Sequence, residues 1–149
     1  MNSAPTPFLQ PSPLERFFNR LFGVFVGWGI GPSYNYLLQV QGRKTGRVYS
    51  TPVNVLNYNG QRFLVAPRGE TQWVRNARVT GEVWLKRGRS RQRFALRALD
   101  DRDKPEILRE YLNRYRIAVQ RYFPVPANAP LEAFASIARQ YPVFELIAQ

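Results

Sequence analysis

The apolar positions change period along the chain, and each change predicts a different element. Leu14, Phe17, Phe18, Leu21, Phe22, Phe25 and Val26 are spaced by three and four, the period of an amphipathic helix. Ser12 suits its cap and Pro13 its first position, and Gly27, Gly29, Gly31 and Pro32 end it. The period then shortens. Tyr36–Gln41, Val48–Tyr58 and Gln61–Ala66 read as strands, the last two joined by Asn59-Gly60, a pair suited to a tight hairpin turn with positive φ. Pro67-Arg68-Gly69-Glu70 interrupts the sheet, and Thr71 is placed to cap a short helix carrying Trp73 and Asn76. Gly81 opens a strand over Glu82–Lys86. The turn Arg87-Gly88-Arg89-Ser90 leads into Arg91–Leu99, where Phe94 and Leu96 alternate with Arg93, Ala95 and Arg97.

The helical period returns after Asp103 and Glu106, a capping-box pair. Leu108, Tyr111, Leu112, Tyr115, Val119 and Tyr122 lie on one side of the long helix this predicts. Pro124-Val125-Pro126 is a connector, Pro130–Gln140 a further helix, and Pro142–Ile147 a closing strand. Short strands with helices before, between and after them predict an α+β fold built on a barrel. Residues 1–13 are expected to be loose and residues 14–149 to form one domain.

Composition narrows the chemistry. The chain has 149 residues, with neither Cys nor His. Thiolate metal sites, cysteine nucleophiles and imidazole bases or ligands are therefore excluded. Asp100, Asp101 and Asp103 fit a helix start better than a metal, so no metal site is expected. An enzyme built from these residues would draw its reactivity from a cofactor. The formal net charge is +12, and Lys44, Lys86 and Lys104 are the only lysines among 22 basic residues. Such a balance suits an anionic partner. No nucleic-acid-binding motif is present, so nucleic acid is not the expected one, and a non-enzymatic basic binding module for nucleic acid or acidic lipid stands as the alternative to an enzyme. No secretory signal is visible, and a cytoplasmic location is the expectation. The apolar stripe from Phe17 to Trp28 either packs on the domain or makes a peripheral membrane contact.

The densest chemistry lies in Gly42-Arg43-Lys44-Thr45-Gly46-Arg47, between the first two strands. Two glycines permit a sharp turn with uncovered N–H groups, and the side chains are all donors of positive or neutral character. The turn is either an anion cradle or a charged hairpin end. Trp73 and Asn76, three apart on a helix, can share one pocket, or they are a core residue and a loop tie. A phenol among Tyr111, Tyr115 and Tyr122 could orient an acceptor, or the three simply pack. The arginines of residues 87–97 either meet an anionic tail or surface or, the preferred reading, keep a sheet edge solvated.

Three segments together carry a family likeness. They are Leu38-x-x-x-Gly42-Arg43-Lys44-Thr45-Gly46-Arg47 with Thr51-Pro52-Val53, then Phe63-Leu64-Val65-Ala66 with Gly69 and Trp73-x-x-Asn76, and finally Pro142-Val143-Phe144-x-Leu146. In that order they resemble the deazaflavin-dependent nitroreductases and quinone reductases. The resemblance implies a mostly antiparallel split β-barrel of the flavin-binding type, with coenzyme F420 as hydride donor and FMN as the alternative. It implies a small-molecule electron acceptor such as a quinone or nitroaromatic, and related barrels often pair as homodimers. Arg43, Lys44 and Thr45 would hold the phosphate, with Gly46, Arg47, Thr51 and Pro52 in the same segment. Pro67, Arg68 and Gly69 would lie beside the ring, with Trp73 and Asn76 at the cofactor site. Tyr115 and Tyr122 are the candidates for the acceptor side. Tyr49 stands where the family often has a basic residue, a charge that Arg47 or Arg68 would supply.

Overall fold

A computed structural model describes residues 35–149. The expected first helix and the loose segment before it lie outside the described residues. Six strands follow the short-period stretches: β1 (Asn35–Gln41), β2 (Val48–Tyr58), β3 (Gln61–Val65), β4 (Glu82–Arg87), β5 (Ser90–Ala98) and β6 (Val143–Ala148). They close a barrel in the order β1-β2-β3-β6-β5-β4, and every neighbouring pair is antiparallel. Helix α1 (Gln72–Thr80) joins β3 to β4, while α2 (Pro105–Arg114), α3 (Arg116–Val119) and α4 (Leu131–Ile137) lie between β5 and β6.

The Asn59-Gly60 turn is formed as its residues require, with φ of 50° and 76°. β2 is the strand that shapes the molecule. Its residues Val48–Asn54 pair with β1, and Val55–Tyr58 pair with β3. Among the described residues, the first half therefore has one edge without a ladder partner. Pro52 sits in that half, where a missing N–H is tolerated. The barrel is split along this edge.

Alternation along the strands feeds two cores. Leu38, Val40, Val55, Leu64, Val83, Leu85 and Phe94 fill the barrel. Leu56, Phe63 and Val65 point the other way, onto Leu108, Tyr111, Leu112 and Phe134 of the helical layer. β2 and β3 are buried on both faces where they pair, which is why Val55-Leu56 and Phe63-Leu64-Val65 read as unbroken apolar runs.

Three local expectations give way to tertiary contacts. The long helix through Tyr122 breaks at Tyr115, whose backbone (φ −113°, ψ 27°) leaves the helical region before α3 restarts. Tyr115 is buried, its ring meets Tyr111 edge-on at 5.3 Å, and its hydroxyl donates to the Val55 carbonyl. The capping box does not form. Glu106 instead accepts from the Tyr58 hydroxyl, and the buried Lys104 ammonium donates to Asp101 Oδ1 at 2.8 Å and to the Ala138 carbonyl at 3.3 Å. Gly81 ends α1 rather than opening β4. Its φ of 74° is left-handed, and its N–H donates to the Ala77 carbonyl at 2.8 Å.

Candidate active site

The split beside β2 opens into a cavity of about 770 Å³, the size range of small-ligand sites. Residues of the 42–47 turn, the open half of β2, the 65–68 segment, the start of α1, and α2 to Tyr122 line it. Arg43, Lys44, Arg68 and Arg121 bring positive charge to the lining, and no carboxylate is among the described lining residues.

The turn is tightly made. Gly42 N–H donates to the Arg47 carbonyl at 2.7 Å, and Gly46 N–H donates to the Gly42 carbonyl at 3.0 Å. A Cβ on Gly42 would come within 2.6 Å of the exposed Tyr49 ring and 3.2 Å of the Arg47 carbonyl, so a larger residue there must displace the ring. Gly46 takes φ of 75°. Arg47 N–H donates to Thr45 Oγ1 at 3.2 Å.

Helix α1 holds this turn in place. Asn76 Oδ1 accepts both the Arg43 backbone N–H at 3.0 Å and its guanidinium at 2.7 Å, and Gln72 Oε1 accepts from the same guanidinium at 3.1 Å. Arg43 is thus oriented by two neutral amides, which fix the fork without cancelling its charge. Among the described residues, Lys44 has no carboxylate within ion-pair distance. On the other flank, Glu70 and Arg78 pair at 2.6 Å and tie the loop before α1 to the helix. Trp73 is half-buried, 6.2 Å from the Phe144 ring.

Of the residues expected at the site, Arg43, Lys44, Thr45, Thr51, Pro52, Pro67, Arg68, Trp73, Asn76 and Tyr122 line the cavity. Gly46, Arg47 and Gly69 shape the two loops from outside it. Asn76, expected to meet the cofactor, spends its amide oxygen on Arg43. Tyr115 is absent from the lining because the helix breaks there and its hydroxyl is committed to Val55. Tyr111 takes that place. Burial pushes its phenol well above the ordinary tyrosine range, with Tyr115 nearby adding to this and a hydrogen bond from Asn54 opposing it. It keeps its proton at neutral pH. Arg121 donates to the Tyr122 hydroxyl at 2.7 Å. Asn54, Gln72 and Arg121 also line the cavity and had not been singled out. Asn54, a polar residue inside an apolar strand, was the one with a local signal.

A cavity without a carboxylate among its described lining, with an oriented guanidinium, an ammonium and an apolar wall, fits a ligand that joins a phosphate to a flat ring. The family comparison decides which one. Residues 16–125 match the F420H(2)-dependent quinone reductase family. The chain belongs to that family. Membership supports hydride transfer from F420H2 to quinone-type acceptors.

Solved structures agree on the fold. The protein Atu2129 of unknown function from Agrobacterium tumefaciens superposes with a TM-score of 0.54 at 18% identity, over 97% of this chain and 59% of its own. The chain thus spans less than two thirds of that protein's length. An F420-H2 dependent reductase, FDR-A, gives 0.52 at 16% identity, over 76% of this chain and 94% of its own. A putative pyridoxamine 5'-phosphate oxidase from Listeria innocua gives 0.51 at 10% identity, over 78% and 84%, and carries the split-barrel fold. No curated protein matches the chain. Among the described residues, no helix is long and apolar enough to cross a membrane, and no group of three acidic side chains could hold a metal.

Proposed function

We propose that the 42–47 turn grips the phosphate of F420 while the acceptor enters from the α2–α3 side. The observation that carries this is Arg43, braced by the neutral amides of Asn76 and Gln72, beside Lys44 at a cavity with no carboxylate among its described lining residues. When bound, reduced F420 supplies the hydride, and the protein supplies position and field. Arg43 offers the phosphate a two-pronged face, Lys44 a mobile charge, and Thr45 a hydroxyl. Trp73 walls the ring. Pro67 and Arg68 close its edge.

Tyr122 and Tyr111 serve the acceptor. Tyr122 accepts a hydrogen bond from Arg121, so the proton on its own oxygen remains available to the acceptor's oxygen. Tyr111 holds its proton and braces the same wall. Quinones and nitroaromatics fit, because both take up a hydride and place charge on an oxygen. We infer a cytoplasmic enzyme whose unit is residues 14–149, with a homodimer and a peripheral membrane contact through residues 17–28 as its further assembly.

The test is a titration of purified protein with F420 and FMN side by side, followed by anaerobic turnover of a menaquinone analogue and a nitroarene. F420 should bind tighter than FMN, and the reduced form should be reoxidised by the quinone. Equal or tighter FMN binding, or no F420 binding, would overturn the reading.

A further inference from the structure

Two walls of the cavity share one support that lies outside it. Trp73 forms one wall, and Pro67 and Arg68 form the other. Behind the second, Glu70 accepts from Arg78, whose Nη2 lies 2.6 Å and Nε 3.1 Å from Oε1, with Nε also 3.3 Å from Oε2. This two-pronged contact clamps the loop to the last turn of α1. Behind the first wall, the same guanidinium lies 5.2 Å over the Phe144 ring, and Phe144 meets the Trp73 ring at 6.2 Å. Phe144 is buried with Ala66 and Val74, and β6 holds it beside Leu64 of β3. Arg78 comes two positions after Asn76, which at about 100° per residue puts it on the opposite side of α1. One helix therefore braces Arg43 of the 42–47 turn on one side and supports the two walls on the other.

We propose that Arg78 is a positioning residue for hydride transfer, setting the gap between Trp73 and the Pro67-Arg68 loop in which the deazaflavin ring lies. The proposal rests on the F420 reading. Arg78 does not line the cavity, and it touches neither ring nor acceptor. The side chains of Arg78 and Glu70 are 42% and 41% exposed, and an ion pair so open to water adds little stability. Its weight lies in geometry. Donor and acceptor atoms react when held about 3–3.5 Å apart, and a misplacement of about 1 Å can cost about a hundredfold in rate. Affinity is less sensitive, because the grip of the 42–47 turn on the phosphate makes no use of Arg78.

Arg78→Gln removes both contacts, Arg78→Lys keeps the charge, and Glu70→Gln breaks the clamp while leaving the cation over Phe144. Each is measured as F420 affinity, melting temperature and the single-turnover rate of F420H2 oxidation by saturating menadione. In R78Q the rate should fall about tenfold with F420 affinity within about threefold of wild type, since the change lies in how the bound ring is held. E70Q should show part of that loss, and R78K should recover part of it. The R78Q/E70Q double variant should be no slower than R78Q, because both changes act on one contact. The melting temperature should drop by no more than a few degrees, as for a surface ion pair. An unchanged rate in R78Q overturns the proposal. So does a rate loss matched by weaker F420 binding, additive losses in the double variant, or a melting temperature lowered by about ten degrees or more, which would make Arg78 structural. A wild-type chain that neither binds F420 nor oxidises F420H2 overturns the F420 reading and the positioning role with it.

Discussion

Two turns of the barrel are rich in arginine and glycine, and they have different surroundings. Residues 42–47 join β1 to β2, and residues 87–90 join β4 to β5. In the first, Arg43 reaches across to another element and is fixed by the amides of Gln72 and Asn76, with no carboxylate in the contact. Around the second, the arginines serve the barrel itself. Arg87 donates to the Asn35 carbonyl at 2.9 Å, Arg91 lies 3.9 Å over the Trp84 ring and donates to Gln39, and Arg93 faces Glu82 at 3.9 Å. The first turn lines the large cavity and the second does not. Charge density alone does not make an anion site. Under the proposed reading, what makes one is a helix that orients the charge without neutralising it, beside a space for the ligand.

The largest effect should come from taking charge out of the first turn. Lys44→Ala removes a charge-assisted contact worth about 1.5–3 kcal/mol, so F420 affinity should fall by about one to two decades. Arg89→Ala removes the same charge from the whole protein and should leave affinity unchanged. Titrations of both at one ionic strength compare the turns directly, and equal losses would mean that net charge, not geometry, attracts the cofactor.

A finer probe separates orientation from charge. Asn76→Asp keeps an oxygen in place for Arg43 and turns a neutral brace into an ion pair. Melting temperature should hold or rise, while F420 affinity falls by about tenfold, as expected when a guanidinium is neutralised at the site. An N76D protein that binds F420 as well as wild type would remove the uncompensated charge from the explanation.

The same contrast shows what the sequence can express. The barrel was legible because strand alternation and the Asn59-Gly60 turn are local signals. The 42–47 turn was legible because its donors are consecutive. The brace on Arg43 was not, since Asn76 lies 33 positions away and nothing local pairs them. The tyrosines of the helical layer were legible only in part, for a different reason. A continuous helix puts Tyr115 and Tyr122 on one face, but the break at Tyr115 resets the rotation and sends that hydroxyl to Val55. Tyr115→Phe should therefore lose about 1 kcal/mol of stability, the net value of one buried hydrogen bond, with quinone turnover intact. Tyr111→Phe should change the Michaelis constant for the acceptor.

Space within the first turn gives a test of its shape. At Gly42 an added Cβ meets the Tyr49 ring at 2.6 Å and the Arg47 carbonyl at 3.2 Å. Gly42→Ala should lower stability by about 1–3 kcal/mol, the usual range for overpacking, and weaken F420 as the turn shifts. Gly88 carries φ of 60° in the other turn, so Gly88→Ala strains the backbone there without touching the cavity. It should lower the melting temperature with affinity preserved.

The smallest effect is expected where the second turn's charge is most visible. Arg91 stacks on Trp84 and bonds Gln39, but it stays exposed, so Arg91→Ala should reduce stability by about 0.5–1 kcal/mol, the range for an exposed cation–π contact. Its cross-strand neighbour is Lys86, a like charge, and relief of that repulsion offsets part of the loss. Raising the salt concentration should shrink the repulsion and leave the stacking largely in place. The R91A penalty should thus grow with ionic strength, whereas the Lys44→Ala loss in F420 affinity should shrink. Denaturant unfolding and F420 titration at low and high salt read the two trends, and parallel trends would mean that the two turns do the same work.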